Sequence, residues 1–216
     1  MKYNCVIFDL DGTLADTVLD LAEAVNKTLE EHGFEPAALE DFVKMQGITL
    51  ENQMLRVLPP GKRNKTLASE LSAGVKKRYE ELPVSRGKPY RGVQELLSAL
   101  RRKRVKLAVL TNKPDEIANR ELDRFFPAGS FDMVSGIRPD FPCKPDPAAV
   151  WELLAELDAS PRNTILAGDS EIDMETARAA ECLAVGVSWG YSDIEVLKKA
   201  GAQCIINKPS ELMEFL

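Results

Sequence analysis

The chain has 216 residues, of which 44% are hydrophobic and 29% charged, and its net charge is −6 at neutral pH. That apolar content excludes a disordered chain, which needs low hydrophobicity together with high net charge. The length fits one domain of ~100–200 residues, or one carrying an insertion. The acidic balance lacks the basic stripe of duplex-binding proteins, so no nucleic-acid partner is expected.

The basic run Arg101-Arg102-Lys103-Arg104 reads as the solvated end of a helix, where cations suit the dipole. No apolar stretch approaches the ~18–20 residues of a membrane span. Asp9 and Asp11 interrupt the first apolar run, so no signal peptide and no membrane partner are expected. Cys5, Cys143, Cys182 and Cys204 form no C-x-x-C pair; three of them sit in apolar runs and read as small core residues, which fits a reducing cytoplasm.

In chain order, Tyr3–Phe8 reads as a buried strand. Residues 16 to 84 then show only helical periodicity: Asp16 is placed to cap a helix ending at His32 before Gly33, and further helices cover about 37–45, 49–58 and 64–82. Lys44 and Arg56 read as solvent-facing, and the Met45-Gln46-Gly47-Ile48 loop between two of these helices reads as a plain interhelical turn, with a loop pointing into a site as the alternative. After Arg86–Gly92, short apolar runs at 106–110, 131–134, 164–167, 183–187 and 204–206 alternate with helices near 93–103, 114–125, 147–158, 171–180, 193–200 and 209–215. Asp146-Pro147 supplies an N-cap followed by proline at the first helical position. Continuous apolar runs separated by helices describe an α/β fold with a Rossmann-like parallel sheet, helices on both faces, and an inserted all-helical cap domain. The expected boundaries are residues 1–15 and 86–216 for the α/β core and 16–85 for the cap.

Four stretches carry chemistry, each at the C-terminal end of an expected strand. Asp9-Leu10-Asp11-Gly12-Thr13 places two carboxylates beside a glycine that permits a sharp turn. Two anions at the edge of an apolar core call for a cation or a shared proton. Thr111-Asn112-Lys113 offers a hydroxyl and amides just before a helix, a phosphate seat. Lys144-Pro145 adds a point charge for phosphate. Gly168-Asp169-Ser170-Glu171-Ile172-Asp173 adds two carboxylates suited to a hard, oxygen-binding cation such as Mg²⁺. In an open parallel sheet these strand ends converge on one crevice, and an insertion after the first strand covers it.

The order D-x-D-G-T, then Thr111, then Lys144-Pro145, then G-D-S-x-x-x-D resembles the four signature motifs of the haloacid dehalogenase-like hydrolases. The stretch 168–180 and Trp189-Gly190-Tyr191 are similar to the phosphoglycolate phosphatase branch, although that branch often has Arg where Ser192 stands. The resemblance implies an Mg²⁺-dependent phosphatase acting on a small phosphorylated metabolite. It implies Asp9 as nucleophile, with Asp11 as acid and base and as a metal ligand through its backbone carbonyl. Thr111, the amide of Asn112 and Lys144 would bind phosphate. Asp9 and Asp169 would ligate the metal, and Asp173 would support a metal-bound water or Lys144.

Other readings stand beside this one. A phosphomutase of the β-phosphoglucomutase type shares the core, inorganic pyrophosphate is a related substrate, and a non-catalytic module would bind a phosphometabolite without turnover. Gly186-Val187-Ser188-Trp189-Gly190 fits the G-x-S-x-G elbow of serine hydrolases, but the lone histidine, His32, lies far upstream inside the helical insertion, which argues against that chemistry.

Overall fold

In the computed structural model, residues 2–81 and 86–216 are described. The chain begins with β1 (Cys5–Phe8), all four residues buried. A two-residue strand β2 (Ala15–Asp16) leads into four helices: α1 (Val18–Glu31), α2 (Leu39–Lys44), α3 (Leu50–Val57) and α4 (Lys65–Glu81). β3 (Lys88–Pro89) returns the chain and pairs antiparallel with β2. Alternation follows: α5 (Val93–Arg102), β4 (Lys106–Pro114), α6 (Asp115–Phe125), β5 (Met133–Ile137), α7 (Ala148–Glu156), β6 (Thr164–Gly168), α8 (Glu171–Ala179), β7 (Leu183–Val187), α9 (Ile194–Ala200) and β8 (Cys204–Ile206).

Six strands form one parallel sheet in the order β5-β4-β1-β6-β7-β8. The first strand is therefore central. The chain fills one side with β4 and β5, then crosses to the other with β6, so the ends of β4, β1 and β6 flank the switch point where such sheets bind ligands. One apolar cluster, with Val6, Phe8, Leu97, Val109 and Ile165, lies on one face of the sheet. Another, with Cys5, Ile7, Leu110, Leu153 and Leu166, covers the opposite face. Alternate residues of β1 thus feed different clusters, as strand pleating dictates.

The helices α1 to α4 surround a third cluster built on Leu29, Phe42, Met54, Leu71 and Val75. They are tied to the sheet by the β2–β3 pair and by Asp20, whose carboxylate accepts from the backbone N–H of Arg86 at 2.7 Å and of Gly87 at 3.1 Å.

Several local expectations shift. Asp16 does not cap α1: the N-cap is Thr17, without a side-chain bond, while Asp16 accepts instead from the Tyr191 hydroxyl at 2.8 Å. Gly33 does follow the helix, at φ +75°. Asp146 accepts from the N–H of Ala148 at 2.9 Å, so α7 starts one residue later than Pro147 suggested. Residues 209–215 form a 3₁₀ rather than an α-helix. Lys44 and Arg56 are exposed, as expected. Only Cys5 and Cys182 are fully buried, and all four cysteines are unpaired. Among the described residues, no helix is long and apolar enough to cross a membrane.

Candidate active site

The turn after β1 sets the site. Gly12 adopts φ +83°, and a Cβ there would fall 2.2 Å from Asp169 Oδ2. Gly190 approaches the same side chain from the other direction, its virtual Cβ 2.2 Å from Asp169 Cβ. Only glycine fits either place. Asp169, at the tip of β6, is thereby enclosed: Oδ1 accepts from Thr13 Oγ1 at 3.2 Å and Oδ2 from the Tyr191 N–H at 2.8 Å.

Asp9, Asp169 and Asp173 are all buried, and carboxylate oxygens of the three lie within 4.8 Å of one another. Lys144 enters from the β5–α7 connection, its Nζ 2.8 Å from Asp9 and 2.6 Å from Asp173. Asp173 also closes a capping box, Oδ2 accepting from Ser170 N at 3.0 Å and Ser170 Oγ at 2.6 Å. Three clustered buried carboxylates thus have one ammonium beside them, which meets Asp9 and Asp173. Burial, then Asp173, push the Asp9 carboxyl up to about 7. Burial, then Asp9 and Asp173, hold Asp169 well above its ordinary value. Burial works against the Lys144 charge, yet Asp173 and Asp9 outweigh it and hold the ammonium more firmly than usual. The negative excess and the all-oxygen donor set fit a hard divalent cation.

Thr111, Asn112 and Lys113, expected as a phosphate seat, lie inside β4 rather than in a loop after it, because the strand runs on to Pro114 with a register shift against β5 between Leu110 and Pro114. Thr111, Asn112 and Lys113 are all buried. The Asn112 side chain accepts from Lys144 N at 3.0 Å and donates to Lys144 O at 3.0 Å and Gly47 O at 2.8 Å. The 45–48 loop is therefore not a plain turn. Its Gly47 meets the core, and Gln46, Gly47 and Ile48 line one crevice with Asp9, Asp11, Thr111 and Asn112. Of the two sequence readings of this loop, the approach to the site holds and the plain turn does not; nothing local in the sequence marks which interhelical turn faces the sheet.

Asp11 stands apart from the three-acid cluster. Its Oδ1 accepts a short bond from Thr17 Oγ1 and pairs with Lys113 Nζ at 2.6 Å. Lys113 also pairs with Glu121 on α6 at 2.6 Å and lies 5.4 Å from the Tyr79 ring centroid. The sequence marks Lys113 only as part of the Thr111-Asn112-Lys113 stretch, and Glu121 carries no motif at all. Tyr191 does more than mark a branch: besides the Asp169 and Asp16 contacts, its hydroxyl accepts from the N–H groups of Thr17 and Val18 at 3.0 and 3.2 Å.

The arrangement gathers a carboxylate beside a buried lysine, further acids for a cation, and a hydroxyl with an amide. It can hold a phosphoryl group against a nucleophilic Asp. The family model of the haloacid dehalogenase-like hydrolases matches residues 6–187. The phosphoglycolate phosphatase of Aquifex aeolicus is 32% identical over 211 residues, covering 98% of this chain and 95% of that protein. The phosphoglycolate phosphatase of Pseudomonas putida is 34% identical over 194 residues, covering 87% and 70%. The crystal structure of a predicted phosphatase from Clostridium acetobutylicum superposes with a TM-score of 0.88 at 27% identity, covering 99% of this chain and 98% of that one. With its parallel core, inserted helices and converging acids, the chain belongs to the haloacid dehalogenase-like hydrolase family, on the side of it that resembles phosphoglycolate phosphatases.

Proposed function

We propose that this enzyme is an Mg²⁺-dependent phosphatase of small phosphate monoesters, phosphoglycolate first among them, working through an aspartyl-phosphate on Asp9. The observation that carries the reading is Asp9 itself: a buried carboxylate at the tip of the central strand, 2.8 Å from a buried Lys144. The similar phosphoglycolate phosphatases support the substrate class.

In this reading an Asp9 carboxylate oxygen attacks phosphorus. The ester P–O bond breaks, its electron pair goes to the leaving oxygen, and Asp11 supplies that oxygen's proton. Thr111 and the N–H of Asn112 bind the phosphoryl oxygens, and Lys144 offsets their charge. Asp11, now a carboxylate, takes a proton from the water that attacks phosphorus. The P–O bond to Asp9 then breaks, releasing inorganic phosphate and restoring both acids. Asp9, Asp169 and the backbone carbonyl of Asp11 would hold Mg²⁺, which when bound adds positive charge at the phosphoryl oxygens. Asp173 supports Lys144 rather than the metal, since one of its oxygens faces the ammonium and the other the Ser170 cap.

We take residues 1–15 and 86–216 as the catalytic core and 16–85 as the cap that selects the substrate, supported by their separate apolar clusters. Unpaired cysteines support a cytoplasmic setting. The test is phosphate release from phosphoglycolate, p-nitrophenyl phosphate, pyrophosphate, sugar phosphates and nucleotides, each with Mg²⁺ and with EDTA. Metal-dependent release fastest from phosphoglycolate supports the reading, and isomerisation of a sugar phosphate without phosphate release sinks it.

A further inference from the structure

Lys113 occupies an unusual position. Its ammonium is almost wholly buried, with a side chain 7% exposed, and it bridges two carboxylates from separate elements at 2.6 Å each, Asp11 after β1 and Glu121 on α6. Tyr79, from the last cap helix, closes a third side with its ring. Burying an ammonium is costly unless it is paired, and here the pairing charges come from groups 102 and 8 positions away in sequence. Glu121 is itself buried, and its second oxygen, Oε1, has no partner among the described residues, so its one ion pair is the contact that justifies its presence.

At the other end of the bridge, both donors to the Asp11 side chain among the described residues, Lys113 and Thr17, fall on Oδ1. Two donors from different elements on one oxygen fix where the carboxyl group sits, and Oδ2 is left for proton exchange.

We propose that Lys113 is a positioning residue for the acid Asp11, and that Glu121 and Tyr79 hold Lys113 in turn. The proposal rests on the acid role assigned to Asp11 above. The Lys113 ammonium is taken up by Asp11 and Glu121, so it acts through the acid, fixing where the Asp11 carboxyl sits in the crevice that Asp9, Asp11 and Lys113 jointly line. A misplaced acid costs rate only where the leaving group needs a proton.

Leaving-group dependence supplies the test. kcat/KM covers steps up to formation of the phosphoenzyme, so it isolates the protonated departure. In full-length protein with Mg²⁺, K113M is expected to lower kcat/KM for phosphoglycolate, an alkyl ester, about tenfold more than for p-nitrophenyl phosphate, whose leaving group departs without a proton. D11N is expected to show the same asymmetry, larger. E121Q keeps the volume, removes the charge, and is expected to shift the ratio in the same direction by about threefold; it carries the test should K113M fail to fold. Equal losses on both esters in K113M and E121Q, with the asymmetry intact in D11N, overturn the positioning role while leaving the function standing. No asymmetry in D11N removes the acid role of Asp11, and this proposal with it.

Discussion

Asn112 joins strand β4 to the helical insertion: its side-chain amide donates to the carbonyl of Gly47 at 2.8 Å while also bridging the backbone of Lys144. One side chain thus ties together β4, the lysine loop and the loop between α2 and α3. The Gly47 backbone, at φ +83° with its virtual Cβ 3.0 Å from Ser170 Oγ, brings the cap close enough for this contact. Each hydrogen bond contributes about 0.5–1.5 kcal/mol net. Asn112→Ala should therefore lower stability by roughly 2–4 kcal/mol in urea unfolding. It should also lower kcat/KM through loss of cap docking and Lys144 placement. Unchanged kinetics in a destabilised variant would show that the contact serves folding alone.

A cation held by the acid cluster would couple metal dependence to pH dependence. Asp9 is pushed up to about 7 and Asp169 also upward, against ordinary carboxylate values near ~4. A carboxyl raised in the folded state binds more protons folded than unfolded across that window, so stability of the metal-free protein falls as pH rises from ~4 toward 7. A cation competes with those protons and helps most when they are gone. Mg²⁺ at 100 times its Kd contributes about 2.7 kcal/mol, or ~5–10 °C in a chain of this size. Thermal melts should show that shift at pH 8 and less than half of it at pH 5.5. An equal shift at both values would place the metal elsewhere.

Thiol reactivity should divide the cysteines. Burial raises Cys5 to about 11 and Cys182 to about 12. At pH 8 only about one Cys5 in a thousand is a thiolate, and few reagents reach it. Cys143 and Cys204 are half-exposed. Iodoacetamide at pH 8 followed by peptide mass spectrometry should label Cys143 and Cys204 within minutes, and Cys5 and Cys182 only after unfolding. Early labelling of Cys5 would contradict the central placement of β1.

The cap has its own core, and Phe42 is among its fully buried side chains. Phe42→Ala should cost roughly 3–5 kcal/mol. Hydrogen exchange should show the loss in α1 to α4, with amides of β1, β4 and β6 keeping their protection. Uniform loss across both regions would argue against the cap as a separately stabilised unit.

Much of this was legible beforehand, for physical reasons that differ by residue. The strands announced themselves because parallel strands covered on both faces must be apolar throughout. Asp9, Thr111, Lys144 and Asp169 could be brought together because such sheets gather their strand ends at one crevice. The Lys113–Glu121 pair could not be read, since it depends on how α6 lies against β4, which periodicity does not encode. Asp16 looked like a helix cap by local rules, but the Tyr191 hydroxyl, 175 positions away, takes its carboxylate. The strand β4 outran its apolar run because the polar Thr111-Asn112-Lys113 segment is satisfied by tertiary partners rather than by solvent.

The most direct measurement is phosphate release from phosphoglycolate with Mg²⁺, comparing the wild-type enzyme with Asp9→Asn. The substitution keeps the shape and removes the nucleophile. Loss of at least about 10³-fold in kcat, with the variant still folded and still binding Mg²⁺, is the result expected for an enzyme that proceeds through Asp9. An Asp9→Asn variant that retains a rate within tenfold of wild type would contradict the account at its centre.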